Sequence, residues 1–247
     1  MMRALITGAS SGIGAELARE FAGRGYQVIL LARRRDRLAA RATLLPGATV
    51  LVADLADAGA AARVFAETGP VDLLVNNAGF GEYTDFAAQD PARQAAMLQV
   101  NIVALTALTR LYLPAMLARR AGRVLNVASI VGFLPCPGMA VYAASKAYVL
   151  ALSEALFSEL QGSGVTVTCL APGATETEFA DVAGMRGKLA LRVAMAPSAV
   201  ARAGAVATLA GQRLVVTGAQ NRLASLLPRL LPRGLLLRGA RKLLMGR

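Results

Sequence analysis

The sequence predicts an α/β domain, a doubly wound parallel sheet of about seven strands with helices on both faces. Two observations carry this. Short apolar runs recur at residues 3–7, 26–32, 48–53, 71–76, 122–129, 164–171 and 213–218, and stretches with apolar residues three and four apart fill the intervals. Strand, helix, strand at that pitch implies parallel pairing with right-handed crossovers. The runs are also near-continuous in Val, Leu and Ile, the pattern of strands covered on both faces.

A chain of 247 residues suits one such domain. It is placed at residues 1–218, and residues 219–247 read as a basic, amphipathic C-terminal extension. At 55% hydrophobic, the composition supplies a large core. Long helices are predicted at about 91–119 and 140–162. The first contains VNIVALTALTRLYLPAML, apolar nearly all the way round, so it must be buried against the sheet or a second subunit. A homodimer or homotetramer is expected. Neither helix carries the run of about 20 charge-free apolar residues of a membrane span. The N-terminus passes directly into a strand without an export segment, which predicts a cytoplasmic protein. Cys136 and Cys169 fit no metal-ligand spacing, so both are expected reduced and no metal is expected.

The net charge of +12 is unevenly placed. Through Asp181 there are 15 acidic and 15 basic residues; the other 12 basic residues all follow, with no acid among them. The basic part is leucine-rich and lacks interleaved aromatics, which argues against a nucleic-acid partner.

After the first strand comes TGASSGIG, with Gly8, Gly12 and Gly14 spaced around Ser10, Ser11 and Ile13. Glycines there permit a tight turn, close approach of the backbone to a pyrophosphate, and close packing of helix on strand. This is the phosphate-binding turn of a Rossmann-type fold. At the end of the second strand, where an acid would bind the ribose 2′-hydroxyl of NAD, the chain reads LLARRRDRL. Arg33, helped by Arg34, would instead pair with the 2′-phosphate of NADP. NADP(H) is therefore the expected cofactor, with NAD(H) second.

The chain contains no histidine. Tyr142 and Lys146 stand four apart on a predicted helix, hence on one face. Lowering a phenol by about three units from its usual pKa near 10 requires about 4 kcal/mol. A unit charge ~4 Å away at an effective dielectric of ~20 supplies about that much. Lys146 is thus expected to make Tyr142 an acid/base near neutrality. Only three of the 27 basic residues are lysine, Lys146, Lys188 and Lys242. Arginine serves wherever charge alone is needed.

NNAG closes the fourth strand at 76–79, Asn101 sits in an apolar helix where an unpaired amide is costly, Ser129 ends the fifth strand, and PGATET follows the sixth at 172–177. In this order and at these spacings the chain resembles the short-chain dehydrogenase/reductase family, in its smaller single-domain branch, from Arg3 to about Thr177. The resemblance implies an oxidoreductase moving a hydride between NADP(H) and a carbonyl or alcohol. Tyr142 would be the acid/base, Lys146 would tune it and bind the nicotinamide ribose, Ser129 would hydrogen-bond the substrate oxygen, and Asn101 would hold a water linking Lys146 to solvent. Asp54 would bind the adenine amino group beside Leu55, and Asn76 would lie near the adenosine, with Ala78 and Gly79 next to it. Pro172 and Gly173 would lie against the nicotinamide and Thr177 would bind its carboxamide. Thr175 departs from the Ile or Val more usual in the family. Residues 178–197 would form the variable substrate lid, whose Phe, Met and Leu favour an apolar substrate.

Two other readings use the same fold. A sugar-nucleotide epimerase or dehydratase with tightly held NAD would want a sizeable C-terminal substrate domain. A nucleotide-sensing interaction protein would have no reason to keep Ser129, Tyr142, Lys146 and Asn101 together.

The family usually ends soon after the last strand, whereas here the extension follows. Residues 221–247 hold seven basic residues and no acid, and Pro228 and Pro232 argue against one continuous helix. Near the end, Arg238, Arg241 and Lys242 share one helical face, and Leu236, Ala240, Leu243 and Leu244 another. That pattern fits peripheral contact with the inner face of a membrane, and it equally fits packing over the substrate pocket or a partner subunit.

Overall fold

Seven parallel strands, β1 (Arg3–Thr7), β2 (Gln27–Ala32), β3 (Thr49–Val52), β4 (Leu73–Asn76), β5 (Gly122–Val127), β6 (Val165–Ala171) and β7 (Leu214–Val216), form one sheet in the order β3-β2-β1-β4-β5-β6-β7. This computed structural model describes residues 1–185 and 194–245, so residues 186–193 of the expected lid lie outside the described residues. The helices are α1 (Gly12–Ala22), α2 (Arg35–Ala42), α3 (Ala60–Thr68), α4 (Pro91–Leu98), α5 (Leu105–Ala118), α6 (Ala140–Glu159), α7 (Phe179–Val182), α8 (Pro197–Leu209), α9 (Ala219–Leu230) and α10 (Arg233–Met245). Chain order runs outward to β3 on one side of the β1–β4 pair and to β7 on the other. That reversal leaves a crevice at the carboxyl ends of the central strands.

The near-continuous apolar strands sort their side chains with period two. Ala4, Ile6, Val28, Leu30, Leu73 and Val75 face one core with Leu17 and Phe21 of α1, Leu38 of α2, and Val200 and Ala201 of α8. Leu5, Ile29, Leu31 and Leu74 face the other, with Val64 of α3 and Leu108, Tyr112 and Met116 of α5. Each fully buried leucine contributes on the order of 2 kcal/mol, so the sheet position is fixed from both sides.

Helices α4 and α5 are joined by a π-helical turn over Gln99–Ala104. Such a turn adds a residue to the helix and re-aims its side chains, and here it carries Asn101. By length and mean hydropathy alone (1.5 and 1.2), both Pro91–Ala118 and Ala140–Glu159 would suffice to cross a bilayer, although Arg93 and Arg110 in the first and Lys146 and Glu154 in the second interrupt any long charge-free run. Their packing explains the apolarity otherwise: α5 buries Leu105, Leu108, Tyr112 and Met116 and α6 buries Ser145, Val149 and Ser153 inside the fold.

The extension breaks once among the described residues. Leu231 is extended (φ −112, ψ 145), the conformation that a following proline imposes, and Pro232 separates α9 from α10. Pro228, expected to divide the segment as well, is accommodated inside α9. Cys136 and Cys169 are free and buried.

Candidate functional site

The turn between β1 and α1 is shaped by three glycines and stapled to the end of β4. Gly8 and Gly12 have φ of +69° and +55°, the left-handed region that glycine enters without strain. A Cβ on Gly14 would stand 2.3 Å from the Gly8 carbonyl oxygen and 2.4 Å from Nδ2 of Asn77. Asn77 donates from that amide to the carbonyls of Thr7 (2.9 Å) and Gly8 (3.3 Å). The Thr7 hydroxyl accepts from the N–H groups of Asn77 and Ala78 (2.9 Å each) and donates to the Val75 carbonyl (3.1 Å). Ser11, the N-cap of α1, makes no side-chain cap bond. The first N–H groups of α1 are therefore left for an anion.

Basic side chains gather where β2 ends. Arg34 donates to Ser10 Oγ (3.2 Å) and Ser11 Oγ (3.0 Å) on the glycine turn and pairs with Glu178 (2.8 Å). Arg37 binds the other oxygen of Glu178. Hydrogen bonds from Arg37 and then Arg34 hold the Glu178 carboxyl below its ordinary pKa. Arg33 is more exposed and reaches Asp54 at 3.4 Å, while the other oxygen of Asp54 accepts from the Ala56 N–H (2.9 Å). Arg34 is thus tied to the phosphate turn more closely than Arg33.

At the other end of the crevice lie Ser129, Tyr142 and Lys146, all buried. Ser129 follows β5 and does not end it; it caps the short 3-10 turn Ile130–Phe133, its hydroxyl accepting from the Val131 N–H (3.4 Å). Lys146 lies one helical turn past Tyr142 on α6, with its Nζ 5.8 Å from the centroid of the Tyr142 ring and donating to the Val127 carbonyl at 2.8 Å. The expected lowering of the phenol does not occur in this arrangement. Burial drives the Tyr142 pKa well above its usual value, against a smaller opposing effect of its hydrogen bond with Ser129. Burial likewise lowers Lys146 to about 8. The reason is dielectric: removing a phenolate from water outweighs an ammonium whose hydrogen bond goes to a backbone carbonyl.

Asn101 is buried and braces two segments. Its Oδ1 accepts from the Phe80 N–H (3.2 Å), and its Nδ2 donates to the Phe80 carbonyl and to Ser145 Oγ (3.0 Å each). Gly79 fits between this amide and Lys146, since a Cβ there would stand 2.9 Å from Asn101 Oδ1 and 3.4 Å from Lys146 Nζ. The side chain of Asn101 is thus a structural tie beside Lys146 and does not line the crevice.

The crevice itself is about 480 Å³. Gly8, Ser10, Ser11, Gly12, Ile13, Gly14, Arg33, Asp54, Leu55, Ala78, Gly79, Ser129, Tyr142, Lys146, Pro172, Gly173, Thr175 and Thr177 all border it. Thr177 lies against Gly12, whose Cβ would meet its Cγ2 at 2.9 Å. Asn76 does not reach the crevice. As the last residue of β4 its side chain points into the buried layer, donating to Thr109 Oγ1 (3.0 Å) and Asn126 Oδ1 (2.9 Å), and Asn126 continues to Ser153 Oγ (3.0 Å). Its neighbour Asn77, not singled out from sequence, borders the crevice in its place.

Around Tyr142 the walls are apolar. Phe179 of α7 lies 5.2 Å from the Tyr142 ring, centroid to centroid, and Phe80, Val131, Met139 and Met185 pack in the same cluster with Cys136, whose thiol burial pushes up to about 11. The extension closes on this end: Leu244 joins the cluster, its carbonyl accepts from the Tyr83 hydroxyl, and Asn221 of α9 stands against Gly173.

A family model described as short chain dehydrogenase matches residues 2–185. Sulfoacetaldehyde reductase 2 of Chromohalobacter salexigens is 40% identical over 184 residues, 71% of this chain and 73% of that protein. Serine 3-dehydrogenase of Rhizobium radiobacter is 39% identical over 181 residues, 71% of this chain and 72% of that protein. Among solved structures, a short-chain dehydrogenase from Sphingobium yanoikuyae in complex with NADPH is 32% identical with a TM-score of 0.82, covering 100% of this chain and 96% of that one. The closed form of a serine dehydrogenase complexed with NADP+ is 29% identical with a TM-score of 0.78, covering 87% and 94%.

Proposed function

Because the chain belongs to the short-chain dehydrogenase family and is an oxidoreductase of that family, we propose that it uses NADP(H) and reduces an apolar ketone or aldehyde, with Tyr142 as the proton donor. The observation that carries this is the meeting of buried Tyr142, Ser129 and Lys146 at the apolar end of a crevice whose other end is basic.

The residues present fit a dinucleotide carrying a 2′-phosphate. Gly8, Gly12 and Gly14 leave room where a Cβ would collide, the N-terminus of α1 offers free N–H groups to a pyrophosphate, and Arg34 with Arg33 offers guanidinium donors at the end of β2. Asp54 and Leu55 would border the adenine, and Pro172, Gly173, Thr175 and Thr177 the nicotinamide. When bound, the cofactor supplies the hydride.

The chain's own residues handle the proton and the orientation. Ser129 and Tyr142 present hydroxyls to one carbonyl oxygen, and a phenol held above its ordinary pKa remains a donor throughout neutrality. Lys146, charged below about pH 8, stabilises the phenolate left after transfer. Phe80, Val131, Met139 and Phe179 exclude water from the oxygen and favour an apolar substituent. Exposed Leu98 of α4, Val103 of the π-helical turn and Leu117 of α5, with Tyr148 on α6, favour contact with a second copy and hence a homo-oligomer.

The test is a panel of carbonyl compounds graded by chain length and polarity, read by loss of NADPH absorbance. Turnover rising with apolar size supports the reading. Turnover confined to charged or sugar-like compounds, or NADH used as efficiently as NADPH, contradicts it.

A further inference from the structure

We infer that the C-terminal extension is a docking surface for an anionic lipid bilayer, seated through α9 and α10. The first ground is apolar exposure. Leu223, Leu226 and Leu230 follow one another at helical spacing on α9 and are 64%, 46% and 72% exposed; Leu231 in the break, and Leu235 and Leu237 on α10, are exposed as well. Three large aliphatic side chains at spacing three and four form one stripe, and in this fold that stripe is turned outward.

The second ground is charge. Arg222 precedes the stripe, Arg233 follows it, and Arg238, Arg241 and Lys242 continue along α10, all exposed. No acidic residue occurs anywhere after Asp181. A second copy docked tail to tail would set cation against cation, whereas a bilayer bearing anionic headgroups accepts leucines and arginines together.

The third ground is attachment. The inward face of α10, Leu236, Ala240 and Leu244, is half-buried, so the helix is held on the protein while its other sides stay free. Leu244 is tied to Tyr83 and packs in the Tyr142 cluster, and α9 begins with Asn221 against Gly173. Seating the extension therefore seats the catalytic end of the crevice beside the bilayer. Only this last consequence rests on the function proposed above.

The experiment is sedimentation of the full-length protein with phosphatidylcholine vesicles that contain or lack phosphatidylglycerol, at low and high salt. Circular dichroism in solution checks the folding of each variant. Pelleting is expected only with phosphatidylglycerol and should decline as salt rises. The triple variant L223Q/L226Q/L230Q should lose it, and each of R233Q, R238Q and R241Q should lower partitioning about fivefold. Absence of wild-type pelleting at low salt overturns the inference, as does a leucine variant that pellets like the wild type. A leucine variant that pellets like the wild type but forms a smaller oligomer would assign the stripe to a second copy. Should the leucine variant fail to fold, the arginine variants decide by the same criterion. NADPH oxidation without vesicles tests the catalytic reading separately.

Discussion

The ammonium of Lys146 lies 5.8 Å from the centre of the Tyr142 ring and gives its hydrogen bond to the carbonyl of Val127. The pair is therefore poised as phenol and ammonium, with burial pushing the first up and the second down to about 8. This protonation state suits donation to a carbonyl and opposes removal of a proton from an alcohol.

It has a definite pH signature. Lys146 keeps its charge below its lowered pKa and loses it above, so kcat/KM for carbonyl reduction should hold through neutrality and fall above about pH 8. Alcohol oxidation, which needs the phenolate, should instead rise with pH. Steady-state profiles in both directions check this, and a reductive rate that climbs into the alkaline range contradicts it.

The arginines at the end of β2 predict cofactor preference. A hydrogen bond to a charged group is worth about 1.5–3 kcal/mol, so Arg34→Ala should raise KM for NADPH about tenfold or more while leaving KM for NADH nearly unchanged. Arg33→Ala, more exposed and engaged with Asp54, should have the smaller effect. Equal losses for both cofactors would assign Arg34 to holding the glycine turn.

Asn76 and Asn77 have opposite roles despite being adjacent. Asn76→Ala removes a donor from Thr109 and Asn126 in the buried layer and should lower stability by about 1–3 kcal/mol, seen as a drop in Tm, with little change in KM for NADPH. A large KM effect at unchanged Tm would place Asn76 at the cofactor after all.

Gly14→Ala tests the shape of the turn. Its Cβ would stand 2.3 Å from the backbone oxygen of Gly8, and no side-chain rotation can relieve that contact. Overpacking of this kind costs about 1–3 kcal/mol. NADPH titration should show binding lost in a protein that is still folded by circular dichroism; unimpaired binding would remove the turn from the site.

The sheet was legible because its strands are buried on both faces, so their apolar runs are continuous and bounded by glycine or polar residues. Observed strands fall within a residue or two of the runs read from sequence. The glycine turn, Ser129, Tyr142 and Lys146 were legible as motifs for the same local reason. What was not legible depends on parity and distance. Which of Asn76 and Asn77 faces the crevice turns on where β4 ends, and a shift of one residue exchanges the faces. The fate of the Tyr142 proton depends on how completely α6, α7 and the loop carrying Phe80 exclude water, a property of the closed fold and not of the four-residue spacing. The tie between Tyr83 and Leu244 joins positions 161 residues apart, and nothing in either segment announces it.

The central claim is that Tyr142 delivers the proton while the hydride comes from NADPH, and Tyr142→Phe tests it most directly because the ring volume stays and only the hydroxyl goes. General acid catalysis contributes about 10²–10⁴-fold. Single-turnover oxidation of bound NADPH with the best apolar carbonyl of the panel should therefore slow by about that factor, with NADPH affinity unchanged. Undiminished turnover in the folded, NADPH-binding variant would contradict the account.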